Sequence, residues 1–338
     1  MMRAAIIAST VVLAATVALD AQRGQGRPGG PPPFGPQGPP PGRGRGGPGG
    51  PDGLAGMIVP AANPMTPAKI ALGRQLFLDT SLSADRTIAC ATCHDPAHAY
   101  TDGRAVARGL HGASGTRNTP SLANAGFGDE WFWDGRATSL EAQALGPITS
   151  ATEMGLAADQ ISARTGHSAD EVTAALASYV RTIRTHDARI DWYRAGQTGM
   201  LTADEQAGFD LFRGRAQCGV CHGGPDFTDR RFHNTGVGWR DGTMADDGRF
   251  AVTHDDRDHG AFKTPSLRNV ALTAPDMHDG SLATLEAVVD FYSDGGRRNP
   301  YLDPRVRPLR LSDQEKRQLV AFLRALNGPI REGLGGGQ

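Results

Sequence analysis

Apolar residues return at helical spacing in two long segments of the chain. In "SADEVTAALASYVRTI", Val172, Leu176, Tyr179 and Ile183 fall on one face, and a stripe of that period predicts an amphipathic helix lying on a core. Ser168 stands three residues before Glu171, the spacing at which a hydroxyl and a carboxylate each satisfy a free backbone N–H at a helix start. "SDQEKRQLVAFLRALNGP" repeats the arrangement. Ser312 and Glu315 begin it, Leu319, Phe322, Leu323 and Leu326 form its face, and Gly328 and Pro329 stop it. Two more helices are predicted upstream: "TPAKIALGRQLF", with Thr66 as cap and Pro67 in first position, and "TADEQAGFDLFRG", with Thr202 and Glu205 in capping-box spacing. Strand signals are weak throughout, so the pattern predicts a mainly α fold.

The polar landmarks between these helices come round twice. "TPSL" begins at Thr119 and again at Thr264, "DG" at Asp134 and Asp279, and "SLEAQ" at Ser139 answers "TLEAV" at Thr284. Each pair is 145 residues apart, and a fixed step of this kind predicts two related domains built on one plan. We place them at 57–195 and 196–330.

The stretch before them is of another kind. "MMRAAIIASTVVLAATVALDAQ" has one charge at Arg3, then an apolar run, then small residues near Ala18 and Ala21. This is the layout of a cleaved secretory signal over 1–21. The run is shorter than the roughly twenty apolar residues that cross a bilayer, so stable membrane insertion is not expected and the mature protein is expected in the periplasm. From 22 to 56 the chain is almost all Gly, Pro and Arg, too poor in apolar side chains to offset the entropy of ordering it; it reads as a disordered tether. Lys+Arg number 35 against 36 Asp+Glu, a balance that gives no field for nucleic acid.

All four cysteines lie in two copies of Cys-X-X-Cys-His, at Cys90, Cys93, His94 and at Cys218, Cys221, His222. The motif is the attachment signature of c-type haem, in which two thiols form thioethers and the adjacent imidazole ligates iron. A zinc site would have to join cysteine pairs far apart in the chain and would leave both histidines without a task. A thioredoxin-type pair wants a βαβ context that is missing. Two covalent haems are therefore expected, one in each half.

The 145-residue step also distinguishes the two haems. Tyr292 in the second half corresponds to Pro147 in the first. A phenolate can ligate iron and a proline cannot, so the first haem is the candidate for an open centre with a free coordination side. The second is the candidate for a six-coordinate relay held by His222 and Tyr292. Packing beside Phe291 is the other reading of Tyr292, and Met277 is the competing axial ligand.

With "LGRQLFLDTSLSADRTIACATCHDPAHAYTDGR", "GTRNTPSLANAGF", "FWDGRATSLEAQALGPITSATEMG", "CGVCHGGPDF" and "FKTPSLRNVALTAPDMHDGSLATLEAVVDFYSDGG", the chain resembles the bacterial dihaem cytochrome c peroxidase and MauG family from about Leu72 to Leu326. The resemblance implies two cytochrome c-like haem domains and reduction of hydrogen peroxide. It implies Tyr or Met at the Tyr292 position, with Tyr in MauG-like members. Gln143 and Glu153 match the distal pair that assists peroxide deprotonation and O–O cleavage; without the resemblance Glu153 reads as a surface glutamate. Trp133 matches the tryptophan between the haems, with core packing as its other reading. His111 lies near a displaceable distal histidine of the typical peroxidases, one residue out of register, and is equally a loop histidine. Asn118, Thr273 and Pro275 match a calcium site between the halves. The electrons are expected from a small cytochrome c or cupredoxin, or from a protein substrate oxidised as MauG-like enzymes do. The rival from another class is a non-enzymatic dihaem electron-transfer cytochrome, in which Gln143 and Glu153 would have no task.

Overall fold

A computed structural model describes residues 56–334. The expected secretory signal, and all but the last residue of the expected tether, lie outside the described residues. Six helices carry the architecture: α1 (Pro67–Phe77), α2 (Leu140–Thr149), α3 (Ala169–Val180), α4 (Ala203–Arg213), α5 (Leu285–Ser293) and α6 (Asp313–Arg324). The expected caps are in place. Thr66 accepts from the Lys69 N–H at 3.3 Å, and the backbone N–H groups of Ser168, Thr202 and Ser312 each donate to the glutamate three residues on, at 2.8 Å. Among the described residues strands are confined to two-residue pieces, including β1 (Arg184–Thr185) and β2 (Ile330–Arg331), paired antiparallel. The fold is mainly α, as expected. No helix among the described residues is long and apolar enough to cross a membrane.

Two cores form. The first gathers residues between Leu76 and Ile183, the second residues between Ala188 and Leu326. Ala188 and the fully buried Ile190 pack into the second core, so that core begins a few residues before the boundary placed at 195/196. Each core is built on one close helix crossing. α1 lies on α3 at Gly73, where an added Cβ would stand 2.0 Å from the Ala175 carbonyl oxygen and 2.8 Å from Tyr179 Cβ. α4 lies on α6 at Gly208, where the same atom would stand 2.0 Å from the Gln318 carbonyl oxygen and 2.8 Å from Phe322 Cβ. Only a residue without a side chain lets the backbones approach this far.

Polar contacts tie the halves together. Asn124 and Asn269, both at φ near +60° (62° and 61°), converge on Thr185: Asn124 bonds its backbone N–H and carbonyl at 2.9 and 3.1 Å, and Asn269 donates to its hydroxyl at 3.1 Å. Within the first half, Arg181 is 2% exposed and grips both carboxylate oxygens of Glu141 at 2.9 and 3.1 Å, which pins α2 to the end of α3. A buried guanidinium needs such a bidentate partner to offset its lost hydration.

Candidate active site

Both Cys-X-X-Cys-His motifs follow directly from the helix crossings, α1 leading into the first and α4 into the second. Short helical turns at Cys90–Cys93 and Cys218–Val220 set the spacing. None of the four cysteines is joined in a disulfide. Burial pushes Cys90 up to about 12, and Cys93 and Cys218 up to about 11, so these sulfurs are neutral and unlike the lowered thiolates of redox or metal-binding pairs. The two histidines are held alike. His94 Nδ1 donates to the Tyr100 carbonyl at 3.0 Å and His222 Nδ1 to the Phe227 carbonyl at 3.1 Å. Burial lowers both pKa values, which keeps the rings neutral and Nε2 available, the way a metal-ligating imidazole is prepared.

Cys90, Cys93 and His94 open on a cavity of about 720 Å³, within the usual range of cofactor pockets. Two thiols, a neutral imidazole and this volume fit a c-type haem. Gln143, Pro147 and Glu153 line the same cavity, as do Trp133, Asn118, Thr273 and Pro275. Burial raises the Glu153 pKa, with Arg136 opposing it, and Glu153 in turn acts on Cys93.

Tyr292, on α5, belongs to the second motif. It is close enough to Cys218 and Cys221 for both sulfurs to act on it; burial, aided by those sulfurs, pushes its phenol up to about 12 against a hydrogen bond with Thr235. Met277, its competitor, instead lines the large cavity.

Trp133 donates from Nε1 to the Asn118 carbonyl at 2.8 Å and meets the His278 ring edge-on at 6.5 Å; His278 stacks on Phe262 at 3.5 Å. The Trp133 loop is fixed by Arg117, which bonds Asp134 at 2.6 Å and Asp246 at 2.7 and 2.8 Å. Asn118 directs its side-chain amide to the carbonyls of Arg104 and Pro275 at 2.8 and 3.2 Å. Those oxygens are hard donors of the kind calcium takes.

His111 is placed apart from this assembly. Its side chain is 83% exposed, 3.8 Å from Asp85, and it is not among the residues lining the cavity. The loop turns it outward at φ 54°. Sequence reasoning passed over the Arg117–Asp134–Asp246 network, because ion pairs between residues far apart in the chain leave no local pattern. It also passed over His233, held between Asp229 and Asp303 at 3.0 and 2.9 Å. Cys221, Asp229 and His233 present a close trio of donor atoms, of which Cys221 belongs to the second Cys-X-X-Cys-His motif and is claimed there by the expected haem attachment.

A mainly α chain with two haem-attachment motifs, one of them opening on a cavity lined by the partly buried carboxyl of Glu153, has the makings of a dihaem c-type cytochrome. The comparisons agree. The family model described as di-haem cytochrome c peroxidase matches residues 67–199. The methylamine utilization protein MauG of Methylorubrum extorquens is 41% identical over 285 residues, covering 79% of this chain and 80% of that protein. The cytochrome-c peroxidase IdrP1 of Denitromonas iodatirespirans is 37% identical over 319 residues, covering 80% and 84%. Among solved structures, a MauG-like protein associated with microbial copper homeostasis superposes with a TM-score of 0.75 at 36% identity, over 80% of this chain and 93% of that one. The chain belongs to the dihaem cytochrome c peroxidase and MauG family, and it is an oxidoreductase of the dihaem peroxidase class.

Proposed function

We propose that this protein is a periplasmic enzyme that reduces hydrogen peroxide at the centre held by Cys90, Cys93 and His94. The centre held by Cys218, Cys221, His222 and Tyr292 acts as its electron relay. One observation carries the assignment: Tyr292 lies by the second pair of cysteines, whereas Pro147 lines the cavity of the first. The matching crossings at Gly73 and Gly208, and the matching roles of Asn124 and Asn269, support two cytochrome c-like domains related by an internal repeat.

The haems supply redox-active iron; handling protons and positioning groups fall to side chains. Glu153, its pKa raised by burial against the smaller opposing effect of Arg136, moves a proton between the two peroxide oxygens. Gln143, on α2 beside the same cavity, orients the bound peroxide. Trp133, fixed by the Asn118 carbonyl and edge-on to His278, is positioned to pass electrons between the halves. Asn118, Thr273 and Pro275, which line the same cavity, are proposed to hold calcium there.

A hard phenolate donor favours oxidised iron, whereas a thioether raises the potential. Tyr292 therefore tilts the chemistry toward oxidation of a protein or other external substrate, with a small cytochrome c or cupredoxin as the alternative electron source. Low-temperature EPR of the resting holoprotein tests the assignment. One high-spin and one low-spin ferric signal are expected, with the low-spin signal lost in Tyr292→Phe. Two low-spin signals would return His111 to the first iron, and an optical spectrum unmoved by peroxide would refute the enzyme reading.

A further inference from the structure

The two cores serve as controls for each other. In the first, Phe77 lies 5.1 Å from Tyr179 and 6.3 Å from Tyr100, ring centre to ring centre. In the second, Phe212 lies 5.0 Å from Phe322 and 6.2 Å from Phe227. The roles match as well as the distances. Tyr100 and Phe227 hold the two motif histidines through their carbonyls, and Tyr179 and Phe322 close over Gly73 and Gly208. Phenylalanine thus meets every packing demand at these places, and what the first core adds is two hydroxyls.

Both hydroxyls go to one carboxylate. Tyr100 Oη donates to Glu332 Oε1, and Tyr179 Oη donates to Oε2 at 2.9 Å. Arg74 pairs with Glu332 at 3.2 Å, and Glu332 is 30% exposed, so the cluster reaches solvent just after β2. Burial works against ionising Glu332, but the two phenols and Arg74 outweigh it and hold the carboxyl below its usual range. Burial pushes Tyr179 up to about 12. Both phenol O–H groups thus point at one carboxylate that can take up their protons.

We propose that Tyr100 and Tyr179 form a redox outlet on the His94 side of the first centre, carrying oxidising equivalents to the surface at Glu332, where a diffusible one-electron donor such as a phenol quenches them. This rests on the peroxidase reading, since peroxide turnover is what leaves the centre short of electrons. One electron passes from the Tyr100 ring, by way of the His94 hydrogen bond, to the centre, which is reduced by one electron. The Tyr100 O–H bond breaks, its proton goes to Glu332 Oε1, and a neutral phenoxyl radical faces a protonated carboxyl. Tyr179 then gives one electron to that radical and its proton to Oε2, while the Oε1 proton returns to Tyr100. The external phenol finally gives one electron to Tyr179 and releases its own O–H proton to solvent, and Glu332 returns the stored proton to Tyr179 Oη.

The test is freeze-quenched EPR of the holoprotein after peroxide is added without any donor, with optical spectra of the same samples. A radical whose lines narrow on ring deuteration of tyrosine is expected in the parent protein. It is expected to be lost in the Tyr100→Phe/Tyr179→Phe double variant, which carries the residues of the second core. Glu332→Gln keeps both phenols but removes the proton acceptor, and should lower the radical yield at least about tenfold, in line with a loss of general-base assistance. A centre oxidised by peroxide with no tyrosine radical, or with a radical that persists in the double variant, overturns the outlet and leaves the peroxidase reading standing. A spectrum that peroxide does not change overturns both. A double variant that is only less stable, against a parent that forms no radical, reduces the cluster to a clasp for β2.

Discussion

Replacing Gly208 by alanine inserts one methyl group between α4 and α6, the pair from which the second haem motif emerges. The added carbon would lie 2.0 Å from the Gln318 carbonyl oxygen, 2.6 Å from its carbon and 2.8 Å from Phe322 Cβ. Ordinary carbon contacts are roughly 3.5 Å or longer, so α6 must move by about an ångström or more. Two of the three obstacles are backbone, so no side-chain rotation relieves them. Alanine gains about 1 kcal/mol over glycine in helix propensity, whereas overpacking a tight core costs about 1–3 kcal/mol and sometimes more. A clash this deep belongs at or above the upper end, which leaves a net loss of at least about 2 kcal/mol, or about thirtyfold in the unfolding equilibrium. Urea unfolding of Gly208→Ala beside Gly199→Ala is the assay. An added carbon at Gly199 meets nothing within 4 Å, so that control should be unchanged or slightly stabilised. A Gly208→Ala midpoint equal to the control's would refute the reasoning.

Three other outcomes are expected. Glu153→Gln should lower kcat for peroxide about 10²- to 10⁴-fold; because burial raises the Glu153 pKa, parent activity should fall as pH drops through that raised value, and a steady-state pH profile should show this acid limb vanish in the variant. Arg181→Met should destabilise by about 3 kcal/mol, since it leaves the partly buried Glu141 without its bidentate partner; recovery in Arg181→Met/Glu141→Leu, measured by thermal melting, would separate the lost pair from lost volume. Burial opposes ionisation of Asp303, but Arg305 and His233 overcome it and hold the carboxyl at about 2. Its folded pKa thus lies below the unfolded value near 3.9, so its stabilisation is present above that value and is lost as pH falls toward 2. Asp303→Asn should cost about 2 kcal/mol at neutral pH, and the parent and variant unfolding curves should converge in acid.

The chain itself determined the helices and the chemistry they present. Capping pairs such as Ser168 with Glu171, and apolar faces such as Leu319, Phe322 and Leu323, are local signals within one helix, and the structure repeats them residue for residue. The haem motifs are local as well, since five consecutive residues hold both thiols and the imidazole. The resemblance to known peroxidases brought Gln143 and Glu153 forward, and the fold places both in one cavity with His94.

What only the tertiary structure decided depends on groups distant in the chain. The outward turn of His111 follows from backbone geometry that its neighbours in sequence do not reveal. Where Tyr292 and Met277 fall is settled by how α5 and the loop before it pack, which puts the phenol by Cys218 and the thioether in the other cavity. Tyr100, Tyr179 and Glu332 read singly as two core aromatics and a tail carboxylate. They become one cluster because β2 pairs with β1 and brings Glu332 against the first core. Hydrogen bonds and burial act through space, and their partners are separated by up to 258 positions along the chain; a pattern read along the sequence contains no measure of that proximity.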